Sequence, residues 1–436
     1  MALKTYSLKY GKTVQNIDLE EEKVVQIIDS QPCAKITDVK QAVLDAIRHP
    51  VGAEPLRDIV KKGDKVCIVI SDITRAWTRM SEYIPVIVEE INGQGVPDSD
   101  IFIIVATGTH RANSEAELRE LLGDDLVNRI KIYDHDAYDE NGNVFLGTTS
   151  RGTPVYIDKR AVEADKVILT GGLSAHLFAG FGGGRKSVMP GIAGVKTINH
   201  NHVMALSDTH GNGINEETSL AKLENNRVHE DMCEVCQFLN PCFLVNVIMD
   251  ADGDFAYIAA GHWYDAWYAG TRFVMKQQGV RAIAKSDIAI SSGGGYPMDM
   301  NLYQGMKAYV PAAMVLKDKG VLIAVLECED IAEPPVFFDC FHYDDLKKME
   351  DDVRYGFSIP FWVALYTCLL AEKYTIILVT KPENFEKAKK TRAIPVATLK
   401  EAMELAKNVL AKQGKTDYTV NIVPHGFTTI PLFTDK

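Results

Sequence analysis

Long apolar runs are missing from this chain of 436 residues. No stretch approaches the roughly 18 consecutive apolar residues that a membrane-spanning helix needs, which excludes a helical membrane protein. Positive charge is in deficit: 47 Lys and Arg face 59 Asp and Glu, for a formal net charge of −12. That balance argues against a general binder of nucleic acid or of membrane surfaces, both polyanionic, and leaves room for a local basic pocket that takes a small anion. Cysteine is sparse at 8 residues, so no disulfide scaffold is expected and a reducing cytoplasm is the simplest location. No basic segment followed by an apolar core opens the sequence. Residues 1–19 alternate polar and apolar side chains around Gly11 and read as a hairpin rather than a signal peptide. Internal repeats and low-complexity segments are lacking as well. What is present, 46% hydrophobic and 24% charged residues, is the mixture of a globular protein long enough for two or three domains.

Short runs rich in Ile and Val recur at 65–71 (KVCIVIS), 101–106 (IFIIVA), 166–170 (KVILT), 287–291 (DIAIS), 320–326 (GVLIAVL) and 374–380 (YTIILVT). Their lack of polar alternation predicts strands buried on both faces, as in a parallel sheet. Helical patterns lie between them. One covers 81–92, with Pro85 tolerable near its start. Another opens at a capping box of Ser114 and Glu117 and runs toward Ile130. Residues 264–278 and 399–411 are amphipathic in the same way. The alternation predicts an α/β fold of two domains with largely parallel sheets, over 1–270 and 271–436, bridged by 264–278. In such sheets ligands sit beyond the carboxyl ends of the strands. The unusual segments obey that rule: SDITR (71–75), TGTHR (107–111), TGGLSAH (170–176) and GGGYP (293–297) each follow a predicted strand. An active-site cleft between the two domains is expected.

These segments carry residues suited to chemistry. Asp72 and Thr74 can cap a turn, and Arg75 can grip a carboxylate or phosphate through two parallel hydrogen bonds. His110 lies just past a buried strand, where it serves either backbone hydrogen bonding or acid–base catalysis. Gly182, Gly183 and Gly184, followed by Arg185 and Lys186, form a loop whose backbone can approach an anion closely. Its spacing is neither that of a Walker A loop nor of a dinucleotide fingerprint, and a phosphate loop or a flexible surface turn are its other readings. His200 and His202 form an HxH pair that suits a metal, but a helix over 194–204 brings at most one of them to a common site. Tyr303 and Lys307 share a face if 301–307 is helical. Two motifs are decoys. Cys233 and Cys236, with Cys242 beyond, have no second CxxC and sit in an amphipathic stretch at 226–238. The run Asp250, Asp252, Asp254 lacks the glycine and glutamate of a calcium loop and reads as a β-turn.

Taken in order, DITR at 72–75, GTHR at 108–111, SAHLFAGFGGGRK at 174–186, NHNH ending at His202 and NLYQGMK at 301–307 resemble the nickel-dependent lactate racemase family. The resemblance covers residues 10–420. It implies a racemase or epimerase acting at C2 of a small 2-hydroxy acid by reversible hydride transfer. It also implies a nickel pincer nucleotide, the pyridinium-3-thioamide-5-thiocarboxylic acid mononucleotide carrying nickel, attached covalently to Lys186. Asp72, Gly182, Gly183, Gly184 and Arg185 would lie beside that cofactor, and His202 would be the protein's nickel ligand. His110 and His176 would be the paired acid/base residues. Arg75, Tyr303, Gln304, Lys307 and Trp362 would contact substrate. Proteins that make and insert the cofactor would be transient partners. Two positions depart from the family: Ala76 stands where a proline often follows the first motif, and Phe361 where a polar residue often precedes the tryptophan. With Trp77, these changes point either to a bulkier, less polar substrate or to core packing.

The chemistry fits such a site. Taking C2–H of a 2-hydroxy acid as a proton puts carbanion charge beside a carboxylate; taking it as hydride leaves a neutral 2-keto group. The hydroxyl proton then needs a base, and the other enantiomer needs a second base on the opposite side. Two alternatives remain: an aldonate 2-epimerase on the same machinery, and an NAD-dependent 2-hydroxy-acid dehydrogenase. The latter needs a better GxGxxG than Gly180, Gly182 and Gly183 provide.

Overall fold

The computed structural model describes residues 2–433. The chain divides into two compact units. One comprises Pro32–Ala205 and Glu217–Lys276; the other comprises the segment through Gln31, Leu206–Glu216 and the chain from Gln277 onward. The longest stretch of the second unit starts at Gln277, and residues up to 31 and 206–216 group with it although they lie within the 1–270 span read from the sequence. The cause is long-range pairing. Strand Val24–Ile27 runs parallel to Val420–Val423. The hairpin of Leu3–Tyr10 and Thr13–Glu20 buries Tyr6, Leu8, Tyr10, Ile17 and Leu19 in the core of that unit. The amides of Gly211 and Gly213 donate to the buried carboxylate of Glu350.

The first unit is built on a six-stranded sheet. Its spatial order is Phe255–Gly261, Phe243–Met249, Lys166–Gly172, Val66–Ser71, Ile101–Ala106 and Lys131–Asp134. Every neighbouring pair is parallel except Phe243–Met249 with Phe255–Gly261. The Ile and Val runs are strands because both of their faces are covered: Ile68, Ile70, Ile103 and Val105 are fully enclosed, each burial contributing about 1.5–3 kcal/mol. Helix Ile84–Asn92 starts later than its apolar spacing predicts, with a 3₁₀ turn at Met80–Glu82 before it and Pro85 in its first turn. Helix Glu115–Arg129 begins at the expected capping box, Ser114 and Glu117 bonding reciprocally. The acidic run at 250 is a turn: the Asp250 carboxylate accepts the amides of Asp252 and Asp254.

The second unit repeats the plan. Strands Ile394–Val396, Thr375–Val379, Leu316–Val325, Ser286–Ser292, Val420–Val423 and Val24–Ile27 form an all-parallel sheet in that order. Helix Leu399–Lys412, opened by a Thr398–Glu401 capping box, packs Leu399, Ala402, Met403, Ala406 and Leu410 into its core. The fold is the expected α/β class with mostly parallel sheets. Among the described residues no helix is long and apolar enough to cross a membrane.

Candidate active site

Strands Val66–Ser71 and Ile101–Ala106 are paired so that Ser71 lies opposite Ala106. Their carboxyl ends therefore release Asp72 and Thr107 side by side. Asp72 is buried, and its Oδ2 lies 2.5 Å from His110 Nδ1. Its Oδ1 accepts the Thr74 hydroxyl at 2.5 Å, and Thr74 Oγ1 in turn accepts Arg75 Nη1 at 3.0 Å. Burial pushes the Asp72 carboxyl up, but the hydrogen bond and charge of His110, helped by Thr74 and Arg75, outweigh it and hold the group below the usual carboxylate range. Asp72 thus anchors His110. The His110 side chain is 44% exposed. With Nδ1 fixed by the carboxylate, Nε2 is the nitrogen left for chemistry.

The neighbouring strand Lys166–Gly172 leads to the second group. Here Phe178, which the sequence did not single out, is the hub. Its ring meets His176 edge-on at 4.6 Å and His202 at 5.2 Å between centroids, and Lys186 Nζ lies 5.4 Å from the ring centre. His176 Nδ1 accepts the amides of Phe178 and Ala179 at 3.4 and 3.3 Å. Its Nε2 faces Lys186 Nζ at 2.9 Å. Helix Val195–His202 turns His202 inward, where it is fully buried, while His200 bonds Thr153 at 2.9 Å. The two histidines of the pair therefore point to different surroundings. Burial, with the Lys186 charge added, pulls the His202 imidazole down to about 3, so it is neutral at ordinary pH.

The glycine-rich loop is explained by packing. Gly183 and Gly184 adopt φ of +64° and +54°, and a Cβ on them would lie 2.6 Å from Asn246 Oδ1 and 2.5 Å from Trp267 Cδ1 respectively. Asn246 accepts the Gly184 amide, and Trp267 Nε1 donates to the Gly182 carbonyl. Arg185, expected beside the cofactor, is fully buried and donates to the carbonyls of Phe181 and Ala179 while lying over Trp267 at 4.2 Å. Its guanidinium holds the loop and is not offered to a ligand. Cys233 and Cys236 lie on helix Arg227–Leu239 behind this loop, and burial pushes both thiols up.

The second unit gathers another set. Asn301 caps helix Leu302–Gly305, which tightens into a 3₁₀ turn over Met306–Ala308. The regular helix face expected across Tyr303 and Lys307 is therefore interrupted. Lys307 Nζ donates to Gln304 Oε1 at 2.5 Å and lies 5.7 Å from the Phe427 ring. Tyr303 meets Phe337 at 5.5 Å. Trp362, expected at the substrate, is wholly buried in helix Ile359–Lys373 with its ring 5.3 Å from Tyr366, so it is a packing residue.

An α/β protein that presents two imidazoles, an amine and a buried neutral histidine beyond the strand ends of one sheet has the equipment of an acid–base catalyst. Two family models match the chain: the lactate racemase N-terminal domain over residues 10–213 and the lactate racemase C-terminal domain over residues 281–430. The lactate racemase of Thermoanaerobacterium thermosaccharolyticum is 30% identical over 431 residues, that of Lactiplantibacillus plantarum 31% identical over 433; each alignment covers 97% of this chain and 98% of the relative. The solved lactate racemase apoprotein of T. thermosaccharolyticum is similar over 99% of this chain and 100% of its own, with a TM-score of 0.89 at 30% identity. A Thermotoga maritima protein shares the fold at a TM-score of 0.61 and 15% identity. The chain belongs to the lactate racemase family, and its class is that of an isomerase, a racemase.

Proposed function

We propose that this protein interconverts the C2 stereoisomers of a small 2-hydroxy acid, with lactate, the substrate its relatives are named for, as the first candidate. The observation that carries the reading is the pair of imidazoles beyond the strand ends of one sheet: His110 braced by Asp72 at 2.5 Å and His176 facing Lys186 at 2.9 Å. The residues present fit a nickel pincer nucleotide. Lys186 offers an amine as its attachment point, and His202 offers a buried imidazole in the neutral form that ligates metals. When bound, that group supplies the hydride acceptor for C2. The chain's own residues do the rest. Arg75 binds the substrate carboxylate. His110 takes or returns the hydroxyl proton at Nε2, with Asp72 holding its Nδ1–H, and His176 is the paired acid/base group for the other enantiomer. Each proton transfer contributes about 10²–10⁴-fold. Lys307, Gln304 and Tyr303 add contacts to the substrate's oxygens. All eight cysteines are free thiols, which supports a reducing, cytoplasmic setting. Proteins that build and insert the cofactor are its transient partners.

Co-expression with cofactor-making enzymes, followed by intact mass and nickel analysis, tests the reading. A mass increment mapping to Lys186 and one nickel per chain are expected, with racemisation of lactate, longer hydroxy acids or aldonates identifying the substrate. An unmodified, nickel-free chain, or one that oxidises hydroxy acids with exchangeable NAD, overturns it.

A further inference from the structure

His135 has no part in the chemistry above, yet it joins the two turns that carry it. It follows strand Lys131–Asp134 and is 3% exposed. Its Nδ1 lies 3.0 Å from Asp158 Oδ2, and its Nε2 lies 3.0 Å from the Ala193 carbonyl oxygen. Both neighbours are acceptors, so a proton on either ring nitrogen has a partner. Asp158 is held in place by two bonds from Arg160 and by its own amide, which donates to Ile192 O. The His135 backbone grips the other side: its amide donates to Val105 O, and its carbonyl accepts the Thr107 hydroxyl at 2.6 Å. Thr107 opens the turn that ends at His110. Ala193 closes the turn that starts at Lys186, within which Gly191 N donates to Lys186 O. The two turns also meet directly where Gly108 N donates to Gly191 O at 2.9 Å.

We propose that His135 is a positioning residue: a buried clamp that fixes the His110 turn against the Lys186 turn, and so sets His110 relative to His176 and Lys186. The inference rests on the racemase reading for its effect on turnover, and on the hydrogen bonds alone for its effect on the turns. A displacement of about 1 Å between reacting groups can cost about 100-fold in rate, so the clamp matters to kcat far more than to substrate binding.

The two amide side chains separate clamping from mere core packing. Asn places its nitrogen near Nδ1 and keeps the Asp158 contact; Gln places it near Nε2 and keeps the Ala193 contact. Each variant loses one ring hydrogen bond, so their stabilities fall alike, but only His135→Asn unties the Lys186 turn. In the loaded enzyme, kcat for H135N is expected at least about tenfold below that of H135Q, with KM within about threefold. In the chain without cofactor, the Gly108 amide is expected to exchange hydrogen at least about tenfold faster in H135N than in H135Q. Thr107→Val cuts the clamp at its other end with little change in shape, and is expected to reproduce both effects. Equal kcat and equal Gly108 exchange in H135N and H135Q, or wild-type values of both in T107V, overturn the proposal. Should the loaded wild type racemise nothing, the activity reading falls, and the exchange comparison decides the clamp without it.

Discussion

Replacing Asp72 by Asn tests the active-site geometry most directly. The change is nearly isosteric, and its consequence follows from the hydrogen-bond directions around the carboxylate. Arg75 donates to Thr74 Oγ1, so the Thr74 hydroxyl proton points to Asp72 Oδ1. In the variant that donor claims the amide oxygen and turns the NH₂ group toward His110. His110 Nδ1, which now donates to Oδ2 at 2.5 Å, must then accept. Its proton moves to Nε2, the nitrogen proposed as the base. A charge-assisted bond of this kind contributes about 1.5–3 kcal/mol, which corresponds to roughly 10- to 150-fold in rate. The equilibrium constant between enantiomers is unity, so kcat/KM must fall by one common factor in both directions. Chiral chromatography of initial rates from each pure enantiomer measures it. Asp72→Asn combined with Thr74→Val releases the amide to flip its oxygen toward His110, and should recover part of the loss. A D72N enzyme within about twofold of wild type, or a double variant no better than the single one, refutes the reasoning.

Two further outcomes concern the scaffold. His229 is 5% exposed and stacked on Trp267 at 5.2 Å; burial, with the Arg185 charge added, pulls it down to about 3 from 6.5. Below pH 6.5 the unfolded chain takes up a proton that the folded one refuses, so the group's contribution is intact above that pH and is lost as pH falls toward 3. It amounts to about 2 kcal/mol between pH 7 and pH 5, and urea titrations of His229→Phe, which keeps the stack, should show a pH dependence smaller by that amount; an unchanged one contradicts the assignment. Gly184→Ala places a methyl 2.5 Å from Trp267 at a φ of +54°. It should cost about 1–3 kcal/mol in the same titration and lower the proposed cofactor attachment at Lys186, whereas a neutral result would show that the loop relaxes freely.

The strand ends were legible because both faces of each strand are buried, which leaves an unbroken Ile/Val run followed abruptly by polar or glycine residues. Residues 101–106 are the clearest case: the run IFIIVA and the strand coincide. The inward turn of His202 and the outward turn of His200 follow from helical spacing alone. The second unit's claim on residues 2–31 was not legible. Strand Val24–Ile27 is short and only partly buried, and what makes it a strand is Val420–Val423, nearly 400 residues away. The Asp72–His110 pair was hidden for a similar reason: the two residues are 38 apart and meet only because Ser71 and Ala106 share a register position. His135 sits in a segment, YDHDAYDE, that reads as a polar surface turn until Asp158 and Ala193 are placed around it.

The glycine loop shows why a motif can be specific without each of its members touching a ligand. Gly183 and Gly184 answer to Asn246 and Trp267, and Arg185 answers to the carbonyls of Ala179 and Phe181. All three belong to the architecture that brings the next residue, Lys186, to His176 and Phe178. A flexible anion loop would leave the lysine free to sample many positions, at a side-chain entropy cost of about 2 kcal/mol each time it was ordered. Here the backbone beneath it is fixed by Gly183 O accepting the Lys186 amide and Lys186 O accepting the Gly191 amide. The sequence pattern GGGRK is thus a pattern of scaffold residues ending in one amine, the proposed attachment point, held within reach of an imidazole.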